Sequence, residues 1–394
     1  MRTVEEHREV VAALLPVTPA VDLPLLDAIG LVLAHDLVAT IDLPPFRNSA
    51  MDGYTAYLAD VASLPVTLDV SQELPAGARD VRPLLPGTVA RLMTGAPLPD
   101  GAQVIIPVED TDGGVTRVTI LAAPPAGIHV RNQGSDVAAG STVLRAGTVL
   151  GPPQIGVAAA LGNTTLAVHR PVDVLILSTG SELAEGGTVL EPGQVYESNA
   201  VMLSAALRRI GARSRTAHFV ADDVPTFLTA LEREAAGADL VVTSGGVSAG
   251  AYEVVKDALT GGGVEFAKVA MQPGMPQGAG RVHGVPIVTL PGNPVSSFVS
   301  FEVFLRPAIL AAMGHADRNR AAVTLPLSVA LDSPPGKRQF RRGVLDAIAG
   351  TVAPWGGPGS HLLGWLAGAD AIVVVPEEIT HLDAGEPVEV WLLD

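Results

Sequence analysis

Three short glycine-bearing segments have the composition of anion-holding loops: Ser178-Thr179-Gly180-Ser181-Glu182-Leu183, Thr243-Ser244-Gly245-Gly246-Val247-Ser248-Ala249-Gly250, and Pro291-Gly292-Asn293-Pro294. Small residues let backbone N–H groups come close to phosphate oxygens, and a helix that begins just after the loop adds partial positive charge. One glycine-rich turn reads equally well as a plain turn. Here each segment follows an apolar run and precedes a helical pattern, and Asp222-Asp223 follows a fourth such run. Parallel α/β sheets bind ligands at the carboxyl ends of their strands, so consecutive strands would bring all four loops to one rim. The expected chemistry is capture of a phosphorylated small ligand. No P-loop lysine follows Gly250, and no Gly-x-Gly-x-x-Gly follows the first strand, so neither a P-loop nucleotidase nor a dinucleotide-binding unit is predicted.

Carboxylates crowd the same loops: Glu182, Asp222, Asp223 and Glu253. Acids beside phosphates repel them unless a divalent cation intervenes, and Mg²⁺ is the usual one. Asp223, immediately before its helix, reads better as a cap. Glu182 and Glu253 lean towards function.

Other segments are open between turn and site. They are Pro44 to Tyr54, Met93-Thr94-Gly95-Ala96-Pro97, and Val130 to Asp136. Lys337, Arg338, Arg341 and Arg342, followed by Gly359-Ser360-His361, form a basic cluster in an acidic chain. That cluster is either solvated charge on a strand pair or an oxyanion site.

The elements that must position these residues follow from the chain as a whole. Its 394 residues predict two to four domains, and 48% apolar composition supplies a sizeable core. A net charge of −16 argues against a nucleic-acid partner. With no cysteine, disulfides, thiolate metal sites and a cysteine nucleophile are excluded. No secretory signal and no apolar run of membrane-spanning length is read, so the expected location is cytoplasmic.

An amphipathic helix is predicted over about 3–15, and a second helical segment over about 24–34. Residues 44–137 read as short strands broken by turns, a β-rich insert. A helix over about 152–161 ends at Gly162, and residues 138–170 are expected to pack back on residues 1–43. Residues 171–316 alternate strand and helix, implying a parallel sheet covered on both faces. Residues 321–394 return to strand-like alternation. The fold class is therefore α/β multidomain.

Taken together, "PPFRNSAMDGY" (44–54), "RLMTGAPLPDGAQVIIPVED" (91–110), "VRNQGSDV" (130–137), "STGSEL" (178–183), "SN" (198–199), "DLVVTSGGVSAG" (239–250) and "TLPGNPVSSFVSFE" (289–302) resemble the molybdopterin molybdenumtransferases. This is the MoeA family, related to the E domain of gephyrin, and the resemblance runs essentially end to end. It implies a segmented N-terminal domain, a β-rich insert, a molybdopterin-binding α/β domain and a C-terminal β-barrel-like domain. It also implies a homodimer in which the insert of one subunit faces the α/β domain of the other. The implied reaction joins molybdate to adenylylated molybdopterin with release of AMP, assisted by Mg²⁺.

Carried over by motif, the resemblance implies activity roles for Asp52, Thr94, Asp136, Glu182, Asp222 and Glu253, with metal binding by Glu182, Asp222 and Glu253. It implies substrate binding by Ser178, Thr179, Gly180, Ser244, Gly245, Gly246, Ser248, Pro291, Gly292 and Asn293. Molybdate would meet Lys268, Gln272, Ser296, Arg342 and Ser360. Relatives often carry lysine where this chain has Gln272, and lysine or another residue at Met275. That departure implies weaker oxyanion binding, offset in part by Lys268 and Arg342. Three other readings stand beside this one: a molybdopterin adenylyltransferase, which shares the α/β domain but is a small single-domain protein; a non-catalytic scaffold of the gephyrin type; and a tungsten-selective paralogue.

Overall fold

The computed structural model describes residues 1–180, 182–218, 224–245 and 253–393, without the side chains of 253–255. The first helix, Val4–Ala12, starts in a capping box. The Thr3 backbone N–H donates to Glu6 Oε2 at 2.7 Å, and the Glu6 N–H donates to Thr3 Oγ1 at 3.1 Å. Its apolar face does not pack on the rest of the N-terminal region. Val4, Val11, Leu14 and Leu15 instead join the hydrophobic core of the α/β domain.

The segment expected to be helical over 24–34 is not. It is a strand, Ala20–Pro24, followed by a single 3-10 turn, Leu25–Ala28. Gly30, at φ +79°, reverses the chain after too few residues for an α-helix to propagate. The Ala20–Pro24 strand pairs antiparallel with Thr165–His169, and Leu37–Val38 pairs with Thr142–Leu144. Residues 138–170 thus return to residues 20–43, around Leu31, Leu33, Leu150, Ile155 and Val168.

The insert between them is a mixed five-stranded sheet in the order Val104–Pro107, Gly53–Ala56, Thr88–Leu92, Val66–Leu74, Arg117–Ile120. Tyr54, Val89, Val104, Ile106, Val118 and Ile120 form one of its cores.

The α/β domain departs from a purely parallel sheet. Its order is Arg213–His218, Asp173–Ser178, Leu240–Ser244, Val285–Leu290, Pro276–Val282, Val264–Lys268. The first four strands pair in parallel, and Pro276–Val282 runs antiparallel to both its neighbours, so the edge strand Val264–Lys268 points the same way as the first four. Gly278 and Gly280 make the Pro276–Val282 strand read as loop in the sequence, yet both are required there. A Cβ on Gly278 would lie 2.3 Å from Thr289 Oγ1, and one on Gly280 would lie 2.2 Å from the Gly263 carbonyl oxygen.

The long helix Pro294–Ala312 contains a π-helical turn at Phe301–Leu305. Among the described residues it alone is long and apolar enough to cross a membrane, but 78% of that apolar window is buried against protein, as in a core helix. This corrects the expectation that no segment reaches spanning length. Inside the π turn, Glu302 is buried and accepts two hydrogen bonds from Arg320, at 2.9 and 3.0 Å.

The C-terminal domain is a six-stranded sheet built on Ala322–Pro326, Arg338–Asp346, Thr351–Pro354, Ala371–Val375 and Pro387–Leu392. Its sixth strand, Met271–Gln272, comes from the α/β domain and pairs in parallel with Arg338 and Gln339. The two domains also share one hydrophobic core, since Phe340, Ile372 and Trp391 pack in the same cluster as Val288, Val299 and Phe304.

Candidate active site

The parallel register sets the carboxyl ends of four strands side by side. Ser178 lies beside His218 on one flank and Ser244 on the other, and Ser244 lies beside Leu290. The loops after Ser178, Ser244 and Leu290 therefore share one rim. Gly180 has φ +155° and Gly245 has φ +98°, backbone conformations that favour glycine. A methyl group on Gly292 would sit 3.6 Å from Gly245 Cα, so the second and third loops are in close contact.

Asn199, at the start of the Asn199–Arg209 helix, fastens them together. Its Nδ2 donates to Ser244 Oγ at 2.7 Å and to the Gly292 carbonyl at 2.6 Å. The sequence motif contained Asn199, but nothing in the motif distinguished it from a helix-start residue. Several hydrogen-bonding atoms remain unspent at this rim. Ser178 Oγ, Thr179 Oγ1, Thr243 Oγ1 and Asn199 Oδ1 are buried without a partner. An unmatched buried polar atom costs about 1–3 kcal/mol, so a ligand rich in donors and acceptors would be favoured there.

Of the acids expected beside these loops, Glu182 is described, and its carboxylate folds back against Gly180. A Cβ on Gly180 would fall 2.5 Å from Glu182 Oε2, so the loop needs glycine for the acid to take this position. Asp222, Asp223, Gly246 and Ser248 lie outside the described residues, as does the side chain of Glu253. Among the described residues, no group of three His, Asp or Glu is placed to hold a metal ion. A single carboxylate next to a phosphate site still has the hard oxygen donors that Mg²⁺ takes alongside substrate phosphates.

Next to the third loop lies a cleft of about 500 Å³ between the α/β and C-terminal domains, bounded by the 271–276 loop, Pro291, Asn293, Ser296, Lys337 and the 358–360 turn. Gln272, Ser296 and Ser360, expected to meet an oxyanion, all line it. The Ser360 turn is tied to the third loop, because Asn293 Nδ2 donates to Ser360 Oγ at 2.9 Å and the Val295 N–H donates to the Ser360 carbonyl at 3.0 Å.

Two other expected oxyanion contacts are placed differently. Lys268 ends the edge strand with its side chain exposed, outside the residues that line the cleft. Arg342 is buried, and its guanidinium donates to the carbonyls of Trp355 (3.4 Å), Gly359 (3.2 Å) and Gly357. Burial and the neighbouring Arg341 lower its pKa. Arg342 thus shapes the turn that carries Ser360, giving three of its five N–H groups to that turn.

Asp52, Thr94 and Asp136 all lie in the insert. The Thr94 N–H and hydroxyl both donate to Asp52 Oδ1, at 2.6 and 2.8 Å. These bonds, the backbone one first, hold the Asp52 pKa below the ordinary carboxylate value. The Asp136 N–H donates to the Leu43 carbonyl at 2.9 Å. Asp42, which the sequence did not single out, organises this segment. It accepts from the Ala139 N–H and from Gln133 Nε2, both at 2.7 Å. The insert's hydrophobic clusters are made of its own residues, so within one chain it stands as a separate packing unit from the α/β rim.

Comparison with known proteins places these features in a family. Residues 2–162 match the model of the MoeA N-terminal region (domains I and II), 175–311 match the probable molybdopterin binding domain, and 324–393 match the MoeA C-terminal region (domain IV). The chain is 52% identical to molybdopterin molybdenumtransferase 2 of Mycobacterium tuberculosis, covering 99% of each chain. It is 35% identical to the molybdopterin molybdenumtransferase of Synechococcus elongatus over 93% of each. A crystal structure of the molybdopterin biosynthesis MoeA protein of Pyrococcus horikoshii superposes with a TM-score of 0.84 at 29% identity, covering 100% of this chain and 99% of that one.

Proposed function

The chain belongs to the MoeA family of molybdopterin molybdenumtransferases, and with that as premise we propose how its parts divide the work of inserting molybdenum into molybdopterin. The substrate is adenylylated molybdopterin, with molybdate as the metal donor. The observation that carries this reading is the adjacency of two sites: a glycine-loop rim with unspent donors and acceptors, and a neighbouring cleft whose lining includes Gln272, Asn293, Ser296, Ser360 and Lys337.

The loops at Gly180, Gly245 and Gly292 take the phosphate and nucleotide part of the substrate. Their open backbone lets N–H groups reach oxygen atoms closely. The cleft beside the Pro291–Pro294 loop takes molybdate, so that the anion lies next to the pterin. Orientation of two bound reactants in neighbouring sites is the main contribution such a framework makes. The dithiolene sulfurs of the pterin bond to molybdenum as molybdate oxygen leaves as water with the thiol protons, and a water molecule adds across the phosphoanhydride, so that AMP leaves and the pterin keeps its own phosphate. Glu182, Asp222 and Glu253 are the candidates to hold Mg²⁺, which when bound would offset phosphate charge. Glu182 also orients the Gly180 turn through its contact with the loop.

Asp52, Thr94 and Asp136 act from the insert of a second subunit in a homodimer, which accounts for their separation from the rim within one chain. The protein acts in the cytoplasm. An adenylyltransferase reading is disfavoured because the family match extends over the insert and the C-terminal domain. A scaffold reading is disfavoured because the curated relatives are named as transferases. The test is reconstitution: purified protein, adenylylated molybdopterin, Mg²⁺ and molybdate should activate an apo-molybdoenzyme. Failure with molybdate and success with tungstate would favour the tungsten reading instead.

A further inference from the structure

The oxyanion cleft has one formally charged side chain among the described residues that line it, that of Lys337. We propose that the Lys337 ammonium is the cationic contact for molybdate in this chain, and that it sets oxyanion affinity in place of charge on the 271–276 loop. The inference rests on the molybdenum-insertion reading and names the residue that its anion site depends on.

Taking a dianion out of water needs compensating charge or several strong donors. The other cations near the cleft are otherwise placed. Arg342 gives three of its five N–H groups to backbone carbonyls and, like the exposed Lys268, lies outside the lining. Arg338 is held by Glu5 at 2.6 Å and by Glu377 at 3.0 Å. Lys337, its half-buried neighbour in sequence, lines the cleft.

The backbone fixes the Lys337 position. The Gly336 N–H donates to the Glu377 carbonyl and the Arg338 N–H to the Ala270 carbonyl, both at 2.9 Å. The 271–272 segment pairs in parallel with Arg338 and Gln339, so the register holds Lys337 just before that pairing, across from Ala270 and two residues short of Gln272, at the domain boundary. No carboxylate lines the cleft among the described residues, so the ammonium is not neutralised from within it. A compact ammonium suits a tetrahedral oxyanion, which does not need a planar fork. Neutral donors complete the set: the Gln272 amide, and the Ser360 hydroxyl, which accepts from Asn293 and keeps its own O–H to donate.

The experiment compares wild type, Lys337→Ala, Lys337→Arg and the double variant Lys337→Ala/Gln272→Lys. Molybdate dependence of AMP release is read alongside calorimetric molybdate binding without turnover. In Lys337→Ala the KM and Kd for molybdate should rise on the order of tenfold or more, as for loss of one charge-assisted contact, while the KM for the pterin nucleotide holds. Lys337→Arg, and the double variant with its charge moved to position 272, should each recover most of the loss. A folded Lys337→Ala protein with wild-type molybdate affinity would overturn the inference. Lys337-dependent molybdate binding without AMP release would instead sink the molybdenum-insertion reading and leave the anion site standing.

Discussion

Thr94 gives both its backbone N–H and its hydroxyl to the same oxygen of Asp52, Oδ1, at 2.6 and 2.8 Å. Both bonds favour the carboxylate, so the Asp52 pKa lies below its ordinary value. The interaction is therefore fully present at neutral pH and is lost as pH falls through the depressed pKa. Thr94→Val keeps the N–H bond and deletes the hydroxyl bond. It should move the Asp52 titration upwards, observable by NMR of the side-chain carboxyl. An unchanged titration would contradict this account. Asp52→Asn should lower turnover by about a hundredfold, the scale of a lost acid–base or charged group.

Asn199 bridges two loops through one amide nitrogen. Asn199→Asp turns that donor into an acceptor facing the Gly292 carbonyl, while Ser244 can still donate to it. The variant should lose about 1–3 kcal/mol of stability and most activity. Urea unfolding checks the first expectation; a wild-type midpoint would contradict it.

Much of this rim was legible because local signals agreed. Apolar strands, small-residue loops and helix starts recur at Ser178, Ser244 and Leu290, and parallel pairing then places them together. What was not legible had no local signature. The Pro276–Val282 strand is masked by glycines that packing requires. The π turn at Phe301–Leu305 lies within an unbroken apolar helix pattern. The resemblance implied an anion role for Arg342, but its bonds to the carbonyls of Trp355, Gly357 and Gly359 were not legible, because they come from a turn whose course depends on tertiary folding. The segment over 24–34 has helix-forming residues, but Gly30 stops it after one turn.

Gly180 and Gly245 should not tolerate a side chain. Gly245→Ala forces an alanine to φ +98°, at a cost of about 1–3 kcal/mol. Gly180→Ala additionally displaces the Glu182 carboxylate. Both variants should raise the KM for the adenylylated pterin more than the KM for molybdate. An equal rise in both would argue that the loops do not hold the nucleotide side.

Glu302 and Arg320 are a buried pair, with side chains 1% and 6% exposed. Glu302→Ala removes the buried carboxylate that accepts two hydrogen bonds from Arg320 and lies 3.9 Å from Arg306. The loss should be about 3–5 kcal/mol, read by chemical denaturation. A loss under 1 kcal/mol would show that solvent reaches the pair.

His7 is fully buried against the edge of Phe304, ring centroids 4.7 Å apart, and Arg2 donates to its Nδ1 at 3.3 Å. Burial first, and Arg2 second, lower its pKa to about 4. The neutral form is the one that fits, so protonation favours the unfolded chain. Stability should be unaffected by His7 above about pH 6.5 and should fall by on the order of 3 kcal/mol as pH drops from there to about 4. His7→Phe should flatten that part of the pH–stability curve; parallel curves would contradict the assignment.

The most direct test of the whole account is AMP release by the purified protein from adenylylated molybdopterin with Mg²⁺, measured with and without molybdate. The account predicts release that depends on molybdate, saturates with it, and weakens in Lys337→Ala. Release that is absent, or indifferent to the oxyanion, would contradict it.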